Sequence, residues 1–176
     1  MKPSQKILKL ILDTLNTSSD WSSLENRRIV QKSLYIIQEA GANIGYLFRW
    51  YSMGPSSPEL TRDCFQLNTT LSLDDTSFSE FELHDDVKNI LDSISPLLTP
   101  PEDVKLCQAD WLELVASLLF IMKEKSTISN APFKIQSKRS YLLEYQHIAI
   151  EKIDEILFHG KNPYLKPPFF SSSIAQ

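Results

Sequence analysis

Apolar residues recur along this chain mostly at three- and four-residue spacing, the mark of helices with one buried face. Ile7, Leu8, Ile11, Leu12 and Leu15 follow that spacing, with Lys6, Lys9 and Asp13 outside it, and Asn16-Thr-Ser-Ser ends the run. Ser22 or Ser23 then supplies an N-cap and Glu25 a first-turn acid for a second helix to Ala40, stopped by Gly41. Ile29, Val30, Leu34 and Ile37 form its apolar stripe, with Tyr35 bordering them. Arg27, Arg28, Gln31, Lys32, Gln38 and Glu39 fill the other side.

Ile44 to Ser52 is too short and too aromatic for a helix; Phe48, Trp50 and Tyr51 favour an extended segment, and Gly54-Pro55 turns the chain. Alternation along such a segment puts Phe48 and Trp50 on one face and Arg49 and Tyr51 on the other. Ser57-Pro58-Glu59 reads as N-cap, first-position proline and first-turn acid of a short helix to about Leu67. Between 70 and 83 the weak alternation of Leu71/Leu73 and Phe81/Leu83 fits a hairpin and an irregular loop equally.

His84 to Leu98 is helical until Pro96 disrupts it, and Pro100-Pro101-Glu102-Asp103 opens another short helix. Asp110 caps the most apolar helix, Trp111 to about Lys125, whose Leu112, Val115, Leu118, Leu119 and Met122 make it the centre of the core. Residues 126–132 are loop, and a last helix spans about Ser140 to Phe158. The expected fold is mainly α: one compact multi-helix domain over 1–160 with an extended aromatic segment, followed by a Pro/aromatic tail over 161–176.

Composition changes this picture little. In 176 residues, 42% apolar and 23% charged is near the globular average, which excludes wholesale disorder. Cys64 and Cys107 form no CxxC and read as reduced thiols of a cytoplasmic protein. Lys9 and Asp13 interrupt the first apolar run, against a signal peptide, and no run reaches the ~20 residues of a membrane span. Charge is uneven: +2 over 1–63, −9 over 64–115 and +3 over 116–176. The acidic middle reads as a solvated face or as a docking patch for a basic partner, and it opposes general phosphate binding.

Catalytic signatures are missing from the sequence. The four glycines lie in no phosphate-binding loop, and no GxSxG occurs. His147, with Glu144 and Glu151 at i−3 and i+4, is the nearest approach to a ligand trio, a spacing common on any helix surface. Asp74-Asp75 and Asp85-Asp86 lack calcium-loop spacing. No cofactor, metal or small-molecule substrate is expected.

Arg28 to Asp63 carries the most specific pattern: Gln31-Lys-Ser-Leu-Tyr35, then Gly45-Tyr-Leu-Phe-Arg-Trp-Tyr-Ser-Met-Gly-Pro-Ser-Ser-Pro-Glu-Leu-Thr-Arg-Asp63. It resembles the small prokaryotic family of YwgA-like proteins and, more distantly, the Panacea (SocA-type antitoxin-associated) domain. The matching residues are Gln31, Lys32, Tyr35, Phe48, Tyr51, Gly54, Pro55, Ser57, Leu60 and Asp63; Met53 and Ser56 stand where that family has aromatics. Trp111 to Met122 is similar to the family's second core helix. The resemblance implies a non-catalytic accessory role in toxin–antitoxin, mobile-element or phage-defence settings. By analogy it points to the small middle subunit of a three-component, SMC-like ATPase (Lamassu-like) system.

Read physically, the motif is an architectural corner in which Gln31 and Tyr35 satisfy backbone groups of the turn. In the functional reading Arg49, Trp50 and the turn form a docking surface. Tyr164, Leu165, Phe169 and Phe170, set among prolines, either fold back on the core or are further candidate anchors for a protein partner, a large ATPase or effector subunit. The alternative is a winged-helix-like DNA binder, with Arg27, Arg28, Lys32 and Arg62 on phosphates. Its wing over 70–83 would carry Asp74, Asp75, Glu80 and Glu82, which repel phosphate. A toxin-like enzyme with a site assembled from distant residues is the third.

Overall fold

The computed structural model describes residues 2–18, 20–73, 76–124 and 137–161. Helix α1 spans Pro3–Thr14, α2 Leu24–Glu39, α3 Pro58–Leu71, α4 Asp85–Ile94, α5 Gln108–Lys123 and α6 Gln146–Ile153; β1 (Arg49–Tyr51) and β2 (Gly54–Ser56) form a hairpin between α2 and α3. The fold is mainly α with one small antiparallel sheet, as the periodicity predicts. No helix among the described residues is long and apolar enough to cross a membrane.

Helices α2 and α5 form the most extensive helix pair and lie at the centre, with α6 against α5 and α1 against α3. Helix α5 is buried around nearly its whole girth, from Ala109 to Met122 save Asp110 and Phe120. Helix α2 is buried continuously from Val30 to Ile37, polar positions included. Trp111, Leu34, Ile36 and Ile37 are among the largest fully buried side chains.

Local chemistry sets the helix starts. Ser23 Oγ accepts from Asn26 N at 3.3 Å, and Ser57 Oγ accepts from Leu60 N at 3.3 Å with Pro58 in the first turn. Helix α3 outruns its expected end at Leu67, and Thr69, Thr70 and Ser72 turn their hydroxyls onto the carbonyls four residues back, at 3.1, 2.8 and 2.8 Å. Polar side chains that sequence reading assigns to a loop thus bond within the helix.

Segment 70–83, open between hairpin and loop, follows the loop after Leu71, with no strand among its described residues. Four expectations need correction. A hairpin lies at 49–56, where Arg49 faces Ser56, Trp50 faces Pro55 and Tyr51 faces Gly54. Its reversal falls at Ser52-Met53, and Gly54 opens β2. Pro100 to Asp103 opens no helix: residues 101–104 form a turn closed by Val104 N on Pro101 O at 3.0 Å. The last helix is three pieces: a 3₁₀ segment Ser137–Tyr145 kinked at Arg139, then α6, then a π turn Asp154–Phe158 ending in left-handed His159. Asp110 is not a cap but a first-turn residue of α5, which starts at Gln108.

Candidate functional site

Two glutamines seven residues apart on α2 bracket the hairpin. Gln38 Nε2 donates to Tyr46 O at 2.8 Å while Tyr46 N donates to Gln38 Oε1 at 3.0 Å. Gln31 repeats the arrangement after the hairpin: Nε2 donates to Ser57 O at 3.0 Å and Ser57 N donates to Oε1 at 2.9 Å. Each primary amide mimics a strand neighbour, offering one donor and one acceptor in a plane to a single residue's backbone. Ser57 is fully buried, so Gln31 satisfies groups that no water reaches.

Lys32 holds the hairpin from within. It is 1% exposed, and its Nζ donates to Pro55 O at 2.6 Å and Ser56 Oγ at 3.2 Å. Burial pulls its pKa down to about 8, with Arg28 and Arg139 adding repulsion and Glu113 opposing them. Gly54, at φ +78°, lies so close to α5 that an added Cβ would meet Ser117 Oγ at 2.3 Å. Only glycine combines that approach with a left-handed backbone.

Beside Lys32 lies a cluster of charges drawn from α2, α5 and the 3₁₀ segment. Arg28 bridges Asp110 and Glu113, reaching Glu113 Oε2 at 2.9 Å through Nη2 and 3.1 Å through Nε. Arg139 Nη1 reaches Asp110 Oδ1 at 3.2 Å and Glu113 Oε2 at 3.0 Å, and Tyr141 Oη donates to Asp110 Oδ2 at 2.8 Å. Burial pushes Glu113 above the usual carboxylate range against the pull of Arg139, Arg28 and Lys32. Burial works the same way on Asp110, yet bonds from Arg28 and Tyr141 and the charges of Arg28 and Arg139 hold it low. Three cations share two carboxylates, which makes Glu113 the hub on which the others depend.

The hairpin's two faces differ as alternation predicts. Phe48 packs edge-on against Tyr35 with centroids 5.2 Å apart, and Trp50 lies 5.7 Å from Phe120 on α5. Tyr35 also meets Phe120 at 6.0 Å, so its ring builds this aromatic layer. Leu47, Arg49 and Tyr51 point outward, with Leu47 58% and Tyr51 45% exposed. Trp50 therefore serves mainly as the hairpin's inner anchor, and the displayed edge is Leu47, Arg49 and Tyr51.

Of the four candidate phosphate contacts, the structure withdraws two: Arg28 is held by Asp110 and Glu113, and Lys32 is sealed under Pro55. The physical reasons are acids on α5, more than seventy residues away, for Arg28 and the hairpin backbone for Lys32, neither of which periodicity on α2 alone reveals. Arg62 is exposed and Arg27 half-buried. Asp74 and Asp75 of the expected wing and Tyr164, Leu165, Phe169 and Phe170 of the tail lie outside the described residues. His147 is exposed, and no group of three or more His, Cys, Asp or Glu side chains among the described residues is placed to hold a metal ion.

The residues that build this junction without having been given a part in it by sequence reading are Gln38, Tyr46, Asp110, Glu113, Ser117, Arg139 and Tyr141. One signal pointed to them: Glu113 stands inside the most apolar run of the chain, and a buried carboxylate requires a cation from elsewhere. Fold and site together define a helical domain presenting a hairpin braced from inside. Compared with known proteins, the chain finds no matching family model, no matching curated protein and no matching solved structure.

Proposed function

We propose that this chain is a non-catalytic accessory subunit that works by protein contact, with the hairpin edge Leu47, Arg49 and Tyr51 as a docking surface. The observation that carries the reading is a rigid apolar-and-cationic edge, exposed outside and fixed inside by Gln31, Gln38 and Lys32. A pre-organised edge loses little conformational entropy on association, and aromatic and arginine side chains are the usual anchors of an interface. The polar groups at the junction also support it, since their bonds go to one another and to the hairpin backbone. The resemblance to the YwgA-like and Panacea families adds the setting: a prokaryotic defence, mobile-element or toxin–antitoxin-type complex, with an SMC-like ATPase as the large partner.

The test is co-expression of the tagged full chain with the products of adjacent genes. A complex that survives moderate salt, and loses at least about tenfold in affinity on combining Arg49→Glu with Tyr51→Ala, is the expected result. A partnerless monomer, a complex indifferent to both changes, or salt-sensitive binding to duplex DNA in its place would overturn the reading.

A further inference from the structure

A groove of about 390 Å³ separates α1 from the segment 81–87. Ile7 and Leu10 line it from α1, Phe81, Leu83 and Val87 from the opposite side, and Ile44 from the chain after α2. Helix α1 already buries Leu8, Ile11 and Leu12 in the core, so Pro3, Ile7 and Leu10 form a second stripe at i, i+4, i+7. Ile7 is 44% and Phe81 50% exposed, so apolar surface faces water from both walls of the groove. The two walls are tied together, Lys6 Nζ standing 4.0 Å over the Phe81 ring and Lys9 Nζ 4.8 Å over Phe78.

The walls carry opposite charge. Helix α1 brings Lys6 and a Lys9 paired with Asp13, whereas residues 80–88 bring Glu80, Glu82, Asp85 and Asp86 against Lys88, which reaches Glu82 at 3.2 Å and Asp85 at 3.6 Å. Lys6 and Glu82 lie on the lining itself. An apolar channel with one basic and one acidic border matches a helix whose apolar stripe is flanked by acids on one edge and bases on the other, the charge scheme that selects partners in helix pairs. The exposed α1 stripe, about 10 Å long at 1.5 Å per residue, presents two turns to such a helix.

We propose that the groove between α1 and segment 81–87 binds an amphipathic partner helix with one acidic and one basic flank. The inference deepens the accessory-subunit reading by naming a second contact and its chemistry; it uses none of the hairpin residues, so either site can fail while the other stands.

Three synthetic helical peptides sharing one apolar face test it by fluorescence anisotropy on the full chain: one with Glu along one flank and Lys along the other, one with Lys on both, one with Glu on both. The mixed peptide is expected to bind about tenfold more tightly than either uniform one. Lys6→Glu puts an acid on the lining from each wall and moves first rank to the Lys peptide; Lys6→Gln, the milder change, brings the mixed and Lys peptides to near parity. Val87→Asp weakens all three about tenfold or more, while Tyr51→Ala leaves them unchanged. Equal binding of the three peptides, an order indifferent to Lys6, or no binding at all would overturn the proposal.

Discussion

The junction of α2, the hairpin and α5 places Lys32 and Glu113 almost wholly inside the protein, while the α1 groove leaves Ile7 and Phe81 about half in water. The usual partition of polar outside and apolar inside is inverted at both places, with different consequences. At the junction each inward polar group meets a specific partner, which fixes one geometry and closes the region to solvent. In the groove Ile7 and Phe81 keep much of their apolar surface in water, which leaves area for something else to cover. Directional bonds make a frame, and uncovered apolar area makes a receptor.

The largest expected effect tests the frame at its tightest approach. Gly54→Ala forces a Cβ into Ser117 Oγ and a left-handed backbone onto alanine. Strain of ~1–2 kcal/mol and overpacking of ~1–3 kcal/mol give a loss of about 3–4 kcal/mol in denaturant unfolding. Adding Ser117→Ala should recover part of the overpacking, so the two changes will be non-additive. Glu113→Gln comes next, at about 3 kcal/mol, because Arg28 and Arg139 then share only Asp110 and buried Lys32 loses the carboxylate that opposes its desolvation. Gln31→Ala strands the fully buried Ser57 N–H and costs about 2 kcal/mol. Equal and small losses across these three would erase the distinction between frame and receptor.

The smallest effect is a dependence on pH. Lys32 has a folded pKa of about 8 against 10.5 for the free side chain, so above pH 8 the unfolded chain holds more protons than the folded one. Stability therefore rises with pH through that window, by about 1 kcal/mol between pH 8 and 9. Cys64 and Tyr46, both pushed above their ordinary values by burial, act oppositely once the unfolded thiol and phenol ionise, from about pH 9 and 10. Comparing the wild type with Lys32→Met between pH 8 and 9 isolates the lysine: the rise should vanish in the variant. An identical slope in both would assign it elsewhere.

Much of the frame's skeleton is legible in the sequence. Spacing of Leu8, Ile11 and Leu12, the Ser23 and Ser57 caps and the aromatic alternation at 48–51 act locally, and local chemistry decided each. Illegible were the directions of Arg28 and Lys32, which sequence reading sends outward because they are charged. Arg28 is turned inward by Asp110 and Glu113, more than seventy residues away, and Lys32 by Pro55 and Ser56 of the hairpin, pairings that leave no periodic trace on α2. The groove was hidden for the opposite reason: Ile7 shares the apolar spacing of α1, and nothing in that spacing says one member stays uncovered. Segment 70–83 was ambiguous because alternation that weak scarcely distinguishes a hairpin from a loop.

The two glutamine clamps have a mechanical consequence. Because Gln31 and Gln38 grip the chain on either side of the hairpin and Gly54 abuts α5, a pull on Tyr51 passes straight to the axis of the bundle. Whatever grasps that edge takes hold of a stiff handle, and its motion turns the whole frame with it.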